Sequence, residues 1–146
     1  MKSADSNEVD RLLTIYSEKL GKINISAKGV KKLESKLRYS IEPIAYVQMI
    51  LVEGKKFLIL KDTFIIDQFL NTKKDLGKMK ISRKLVELID EALVGEEQDE
   101  DIWKLILESF KTLDSNEEFN LKLFQKNLIK LLGYNPDEMK EIENLY

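Results

Sequence analysis

Between Ala27 and Arg38 the chain reads Ala-Lys-Gly-Val-Lys-Lys-Leu-Glu-Ser-Lys-Leu-Arg, with five cations (Lys28, Lys31, Lys32, Lys36 and Arg38) against one carboxylate, Glu34. Val30, Leu33 and Leu37 fall at helical spacing and can anchor the segment, which leaves Lys31, Lys32, Lys36 and Arg38 to solvent. Cations spread over roughly 15–20 Å can follow several phosphates of one nucleic-acid strand. Tyr39 follows directly and is the best-placed platform for a stacked base, whereas Tyr16, Tyr46, Phe57 and Phe64 read first as core. The competing reading is a solubilising face. Composition alone favours it, because lysine runs are most often simply solvated.

Other chemistry is thinly supplied. The 146 residues include no cysteine and no histidine. Thiolate nucleophiles, disulfides, cysteine zinc sites and the usual neutral-pH base are therefore excluded. Catalysis would rest on carboxylates, lysines or hydroxyls, and Glu87, Asp90 and Glu91 are expected on the polar face of a helix with no acid/base partner. The acidic run Glu96–Asp101 lacks calcium-loop spacing and glycine and reads as a solvated loop. We therefore expect a binding protein, not an enzyme, with no cofactor and no metal. Trp103 and Phe110, seven residues apart on one helix face, are first of all core. Their sharper reading is a groove for a short peptide with an apolar anchor.

The elements that must carry these residues fall into two halves. Leu12–Tyr16 is β-prone, Glu18–Gly21 suits a turn, and Ile23, Ile25 and Ala27 alternate with polar neighbours to place one face inward. A second hairpin runs through Tyr46–Val52, turns at Glu53-Gly54-Lys55 and returns from Phe57 to Leu60, with scope to continue to Ile65. Four strands suggest a small barrel lacking its first strand, for which only the residues before Val9 remain. From Phe69 the period becomes helical: Met79, Ile81, Leu85, Leu88, Ile89, Ala92 and Leu93 form one face, and Gly95 suits a left-handed cap. Ile102, Trp103, Ile106, Leu107, Phe110 and Leu113 form the next face. Ser115-Asn116-Glu117-Glu118 has the form of a capping box opening a third helix, with Leu121, Phe124, Leu128, Leu131 and Leu132 inward and Gly133 closing it. Asn135-Pro136 starts a short terminal helix. The expected class is α+β: an OB-type barrel over residues 1–68, open along one edge, then an all-α domain over 69–146.

Charge divides along the same line. Residues 1–68 hold 12 Lys/Arg against 9 Asp/Glu, and residues 69–146 hold 12 against 17. With 43% apolar and 34% charged residues, no membrane-length apolar run and a polar start, the chain reads as a cytoplasmic globular protein.

Several runs together resemble a known family. Val9-Asp10-Arg11-Leu12-Leu13-Thr14-Ile15-Tyr16-Ser17, Gly21-Lys22-Ile23, Ala27–Lys32 and Ser35–Arg38 look like the N-terminal domain of the RecO DNA repair proteins. Ile41-Glu42-Pro43 sits at that family's Glu/Gln-Pro step. Leu123–Pro136, with its Leu-Leu-Gly-Tyr-Asn-Pro ending, resembles the family's later helix. The resemblance implies an OB-fold followed by helices, and a nucleoid-associated recombination mediator. Such a protein binds single- and double-stranded DNA, anneals complementary strands, and works with RecR and with the acidic C-terminal tail of the single-strand DNA-binding protein. Three departures stand out: the family's first strand falls mostly ahead of Met1, its four-cysteine zinc element is absent, and the helical half is short and acidic.

These readings together assign phosphate contacts to Arg11, Lys22, Lys28, Lys31, Lys32, Lys36 and Arg38, with Tyr39 as base platform. Partner docking falls to Trp103 and Phe110 and to the lysine stripe Lys122, Lys126 and Lys130, which could receive the acidic tail. Two other classes stay open: an adaptor that binds only protein, and an OB module that binds RNA.

Overall fold

A computed structural model describes residues 2–5, 10–28, 44–95 and 97–133, with backbone alone for 2–5, 10 and 28. Among the described residues five strands form one sheet: β1 (Lys2–Asp5), β2 (Asp10–Ser17), β3 (Gly21–Lys28), β4 (Tyr46–Val52) and β5 (Leu58–Asp67). Four helices follow: α1 (Leu70–Lys73), α2 (Leu76–Ala92), α3 (Glu100–Asp114) and α4 (Leu121–Leu131). By contact the chain divides into a sheet unit, residues up to Phe69 together with Leu93–Gln98, and a helical unit, Leu70–Ala92 and the residues from Asp99 onward.

The sheet order is β1-β2-β3-β5-β4, antiparallel throughout except where β3 meets β5 in parallel. This is an open OB-like sheet, in agreement with the expected class. The alternation in β3 decides its core. Ile23, Ile25 and Ala27 are buried, and they lie opposite Ile15, Leu13 and Arg11 of β2. Leu13 and Leu60 complete the buried cluster, with Ile15, Met49, Leu51 and Leu58 packed around it. The count of four strands is corrected to five. Lys2–Asp5 pairs with β2 from Lys2 opposite Thr14 to Asp5 opposite Arg11. Pairing of this kind uses backbone donors and acceptors and needs no apolar period, so a polar stretch can supply it.

Gly21 opens β3 at a φ of +70°, and a Cβ there would run into the carbonyl of Glu97. The segment Leu93–Gln98 thus belongs to the sheet although it connects two helices. Within it, Leu93 is buried and its carbonyl accepts from Lys22 Nζ at 2.9 Å. Gly21→Ala combines a left-handed backbone with this clash, and we expect it to destabilise the sheet unit by about 2–3 kcal/mol in urea unfolding.

The helical unit buries Leu85, Leu88 and Ile89 of α2, Ile102, Ile106 and Leu113 of α3, and Phe124, Leu128 and Ile129 of α4. Asp99 caps α3 by accepting from the Asp101 and Ile102 amides, and Glu100 and Asp101 fill its first turn beside the positive helix end. The Ser115 capping box is a misreading. Ser115 caps the end of α3, its hydroxyl accepting from the Glu117 amide, and the cap of α4 stands five residues later, where Asn120 accepts from Leu123 N. A four-residue pattern is local, and the cap goes to whichever residue stands where the apolar face begins.

Three smaller readings also change. Asp90 is buried on α2, not on its polar face with exposed Glu87 and Glu91. On α4, Gln125 and Ile129 turn inward while Leu131 is exposed, because the buried row follows 124-125-128-129. Gly95 is left-handed as expected, at φ +92°, but stands three residues beyond the end of α2. Gly133, at φ +82°, closes α4 directly. The terminal helix expected at Asn135-Pro136 lies outside the described residues.

Candidate nucleic-acid interface

Strand alternation sorts β2 and β3 into two rows. The buried row pairs Arg11, Leu13 and Ile15 with Ala27, Ile25 and Ile23, and the opposite row pairs Leu12 with Ser26, Thr14 with Asn24 and Tyr16 with Lys22. Apart from Leu12 the second row is polar, and it is at least partly exposed, with Asn24 the most open. OB-folds bind oligonucleotides on their strand 2–3 face and through the loops around it.

Placed on these rows, the expected phosphate contacts separate. Arg11 stands half-buried on the inner row, beside fully buried Ala27. Lys22 is on the outer row, half-buried, with its ammonium committed to the Leu93 carbonyl. Lys28 ends β3 at the register opposite Asp10, six residues or about 20 Å along the strand from Lys22. Lys31, Lys32, Lys36, Arg38 and Tyr39 lie outside the described residues.

Tyr16 takes a different place from the one its apolar neighbours suggested. It is half-buried on the outer row, at the register position opposite Lys22. Parity with Leu13 and Ile15 was the signal that separates it from the core row.

A second feature was not read from the sequence. The β3–β5 ladder holds only two rungs, Ile25 with Leu58 and Ser26 with Ile59. Ahead of them β5 has not yet begun, and between the β2–β3 and β4–β5 turns lies a groove of about 410 Å³ lined by Lys19, Leu20, Ile23, Asn24, Lys56, Phe57 and Leu58. Gly54 tightens the β4–β5 turn that supplies Lys56 and Phe57; a side chain there would strike the Phe57 carbonyl. The Lys56 ammonium lies 5.5 Å from the centre of the Phe57 ring, within cation–π range. Asn24 Oδ1 accepts from the Thr14 hydroxyl at 2.7 Å, so the amide N–H donors are what Asn24 has left to offer.

In the helical unit, Trp103 and Phe110 are both half-buried, flanking the buried row Ile102, Ile106, Ser109 and Leu113. Lys122, Lys126 and Lys130 are all exposed along α4, a stripe spanning about 12 Å. Leu123 and Leu131 are exposed beside it. Among the described residues no group of three or more carboxylates stands together to hold a metal ion, and no helix is long and apolar enough to cross a membrane.

Residues 1–69 match the family model described as recombination protein O N terminal. A DNA repair protein RecO of Clostridium perfringens is 34% identical over 137 residues, covering 92% of this chain and 56% of the relative. The corresponding protein of Clostridium novyi is 31% identical, covering 94% and 55%, and that of Acetivibrio thermocellus 24%, covering 93% and 55%. The chain thus spans about half the length of the curated relatives it matches. The OB-like strand order, the opening-domain match and the relatives agree: over nearly its whole length the chain is similar to the RecO-type proteins.

Proposed function

We propose that the chain acts in DNA repair and recombination as a non-enzymatic mediator that binds DNA through backbone phosphates and promotes annealing. In this reading the sheet unit holds the strand and the helical unit recruits partners, in the cytoplasm at the nucleoid. The observation that carries it is the outer β2–β3 row, a polar strip with Tyr16 and Lys22 paired on it, on a sheet with OB order. The basic stretch Lys28–Arg38 leaves directly from the end of that strip. RecR and the acidic tail of the single-strand DNA-binding protein are the proposed partners. The exposed stripe Lys122, Lys126 and Lys130, flanked by exposed Leu123 and Leu131, supports an acidic peptide with apolar anchors as one ligand.

The test is binding of a labelled single strand as salt is raised. Four or five phosphate contacts from the basic stretch contribute about −3 to the log–log slope, and removing three of them in a Lys31→Ala, Lys32→Ala, Lys36→Ala variant should flatten it by about 2. Unchanged binding by the variant removes the loop from the interface. Absence of oligonucleotide binding at low salt, with binding of an acidic tail peptide intact, would establish the protein-only adaptor instead. A clear preference for RNA of the same sequence would establish the RNA module.

A further inference from the structure

The groove ahead of the β3–β5 ladder differs in kind from a row of phosphate-binding lysines. Its described lining contains two cations, Lys19 and Lys56, and no carboxylate. Glu18 and Glu53 occupy the same two turns but do not line it. Its apolar side is Leu20, Ile23, Leu58 and the half-buried ring of Phe57, and its polar edge is Asn24 with amide donors to spare. A volume of about 410 Å³ is at the small end of the range for ligand sites, suited to one nucleotide and too small for a duplex.

We infer that this groove is a single-strand subsite that takes one unpaired base against Phe57, with the flanking phosphates on Lys19 and Lys56. An aromatic ring beside a cation is the pair that receives a base and its phosphate without regard to sequence, since every base has a π-face. Asn24 adds N–H donors for a base-edge or phosphate oxygen. Bases in a duplex are stacked on each other and cannot enter, so the groove confers preference for single strands where the lysines of a basic loop serve both forms. It also lies at the hairpin end of β3, at the opposite end from Lys28, so a strand crossing the outer row would reach both. This inference rests on the DNA-binding reading above.

The experiment compares the wild-type chain with Lys19→Ala/Lys56→Ala and with Phe57→Leu, on a labelled single strand and on the duplex of the same sequence. Both lysines are exposed, so the double variant keeps its core, and thermal melting checks the fold of Phe57→Leu. The double variant should flatten the single-strand salt slope by about 1.4, as two contacts are lost, and leave the duplex slope unchanged. Phe57→Leu should weaken single-strand binding about tenfold and duplex binding less than twofold. A strand carrying 2-aminopurine should be quenched on binding wild type and not on binding Phe57→Leu. Equal losses on both forms, or no loss on the single strand, overturn the subsite while leaving DNA binding in place. Wild-type protein that binds neither form overturns the DNA reading and the subsite with it.

Discussion

Ile25→Ala is expected to remove about 3–4 kcal/mol from the sheet unit. The side chain is fully buried and faces Leu13 across the ladder, with Ile23, Ala27 and Leu60 in the same cluster. Deleting its outer carbons forfeits their transfer free energy and leaves a dry cavity in a small core that has little slack to close it. Small domains carry about 5–15 kcal/mol in all, so the loss is a large share of what holds the sheet. Ile25→Val should cost about 1 kcal/mol, and Ile50→Ala, at a side chain 46% exposed, less than that. Because the chain has two units, hydrogen exchange at β2 and β3 amides is a better readout than one global transition. Protection falling by less than 1 kcal/mol in Ile25→Ala would mean that the centre of the core lies elsewhere.

The second large effect is expected at Asp114, the last residue of α3. One of its carboxylate oxygens accepts from the Thr72 amide at 2.7 Å and from the Thr72 hydroxyl at 3.0 Å, and its backbone carbonyl accepts from Asn71 Nδ2 at 3.1 Å. Thr72 is 1% exposed, in a helix of only four residues that could not persist alone. Asp114→Ala leaves a buried amide and a buried hydroxyl without this acceptor, and should cost about 2–4 kcal/mol. Asp114→Asn keeps an oxygen in place without its charge and should recover about half. Thr72→Val removes the hydroxyl at nearly constant volume, so Asp114→Ala should cost less in that background. Urea unfolding of the four proteins closes the cycle, and strict additivity would show that the two residues do not couple.

Neither residue carries equal warning in the sequence. Ile25 sits at the centre of Ile23-Asn24-Ile25-Ser26-Ala27, where a period of two announces a half-buried strand. The helical core was as plain, since Leu85, Leu88 and Ile89 repeat at helical steps. Asp114 and Thr72 are 42 residues apart, and no local pattern links them. The same reason hides the docking of Glu97 on Gly21 and the groove ahead of the β3–β5 ladder, both of which depend on where distant backbone comes to lie. β1 escaped for a different cause, because Lys2-Ser3-Ala4-Asp5 has no apolar alternation to read. The interface divides similarly. Charge density marks Lys28–Arg38 at once, whereas Lys19 and Lys56 become neighbours of one groove only after two turns, more than thirty residues apart, converge.

The return of Leu93–Gln98 to the sheet carries a consequence for synthesis. When Phe69 has left the ribosome, every described strand has emerged, yet the carbonyl that receives Lys22 and the backbone that covers Gly21 have not. At translation rates of 5–20 residues per second, roughly 1.5–6 s pass before residue 98 follows. During that interval the β2–β3 turn is uncapped and the Lys22 ammonium is without its Leu93 acceptor. A nascent chain stalled with Phe69 just outside the ribosome should therefore be cleaved by protease at Glu18–Lys22 faster than one stalled with residue 98 well outside it.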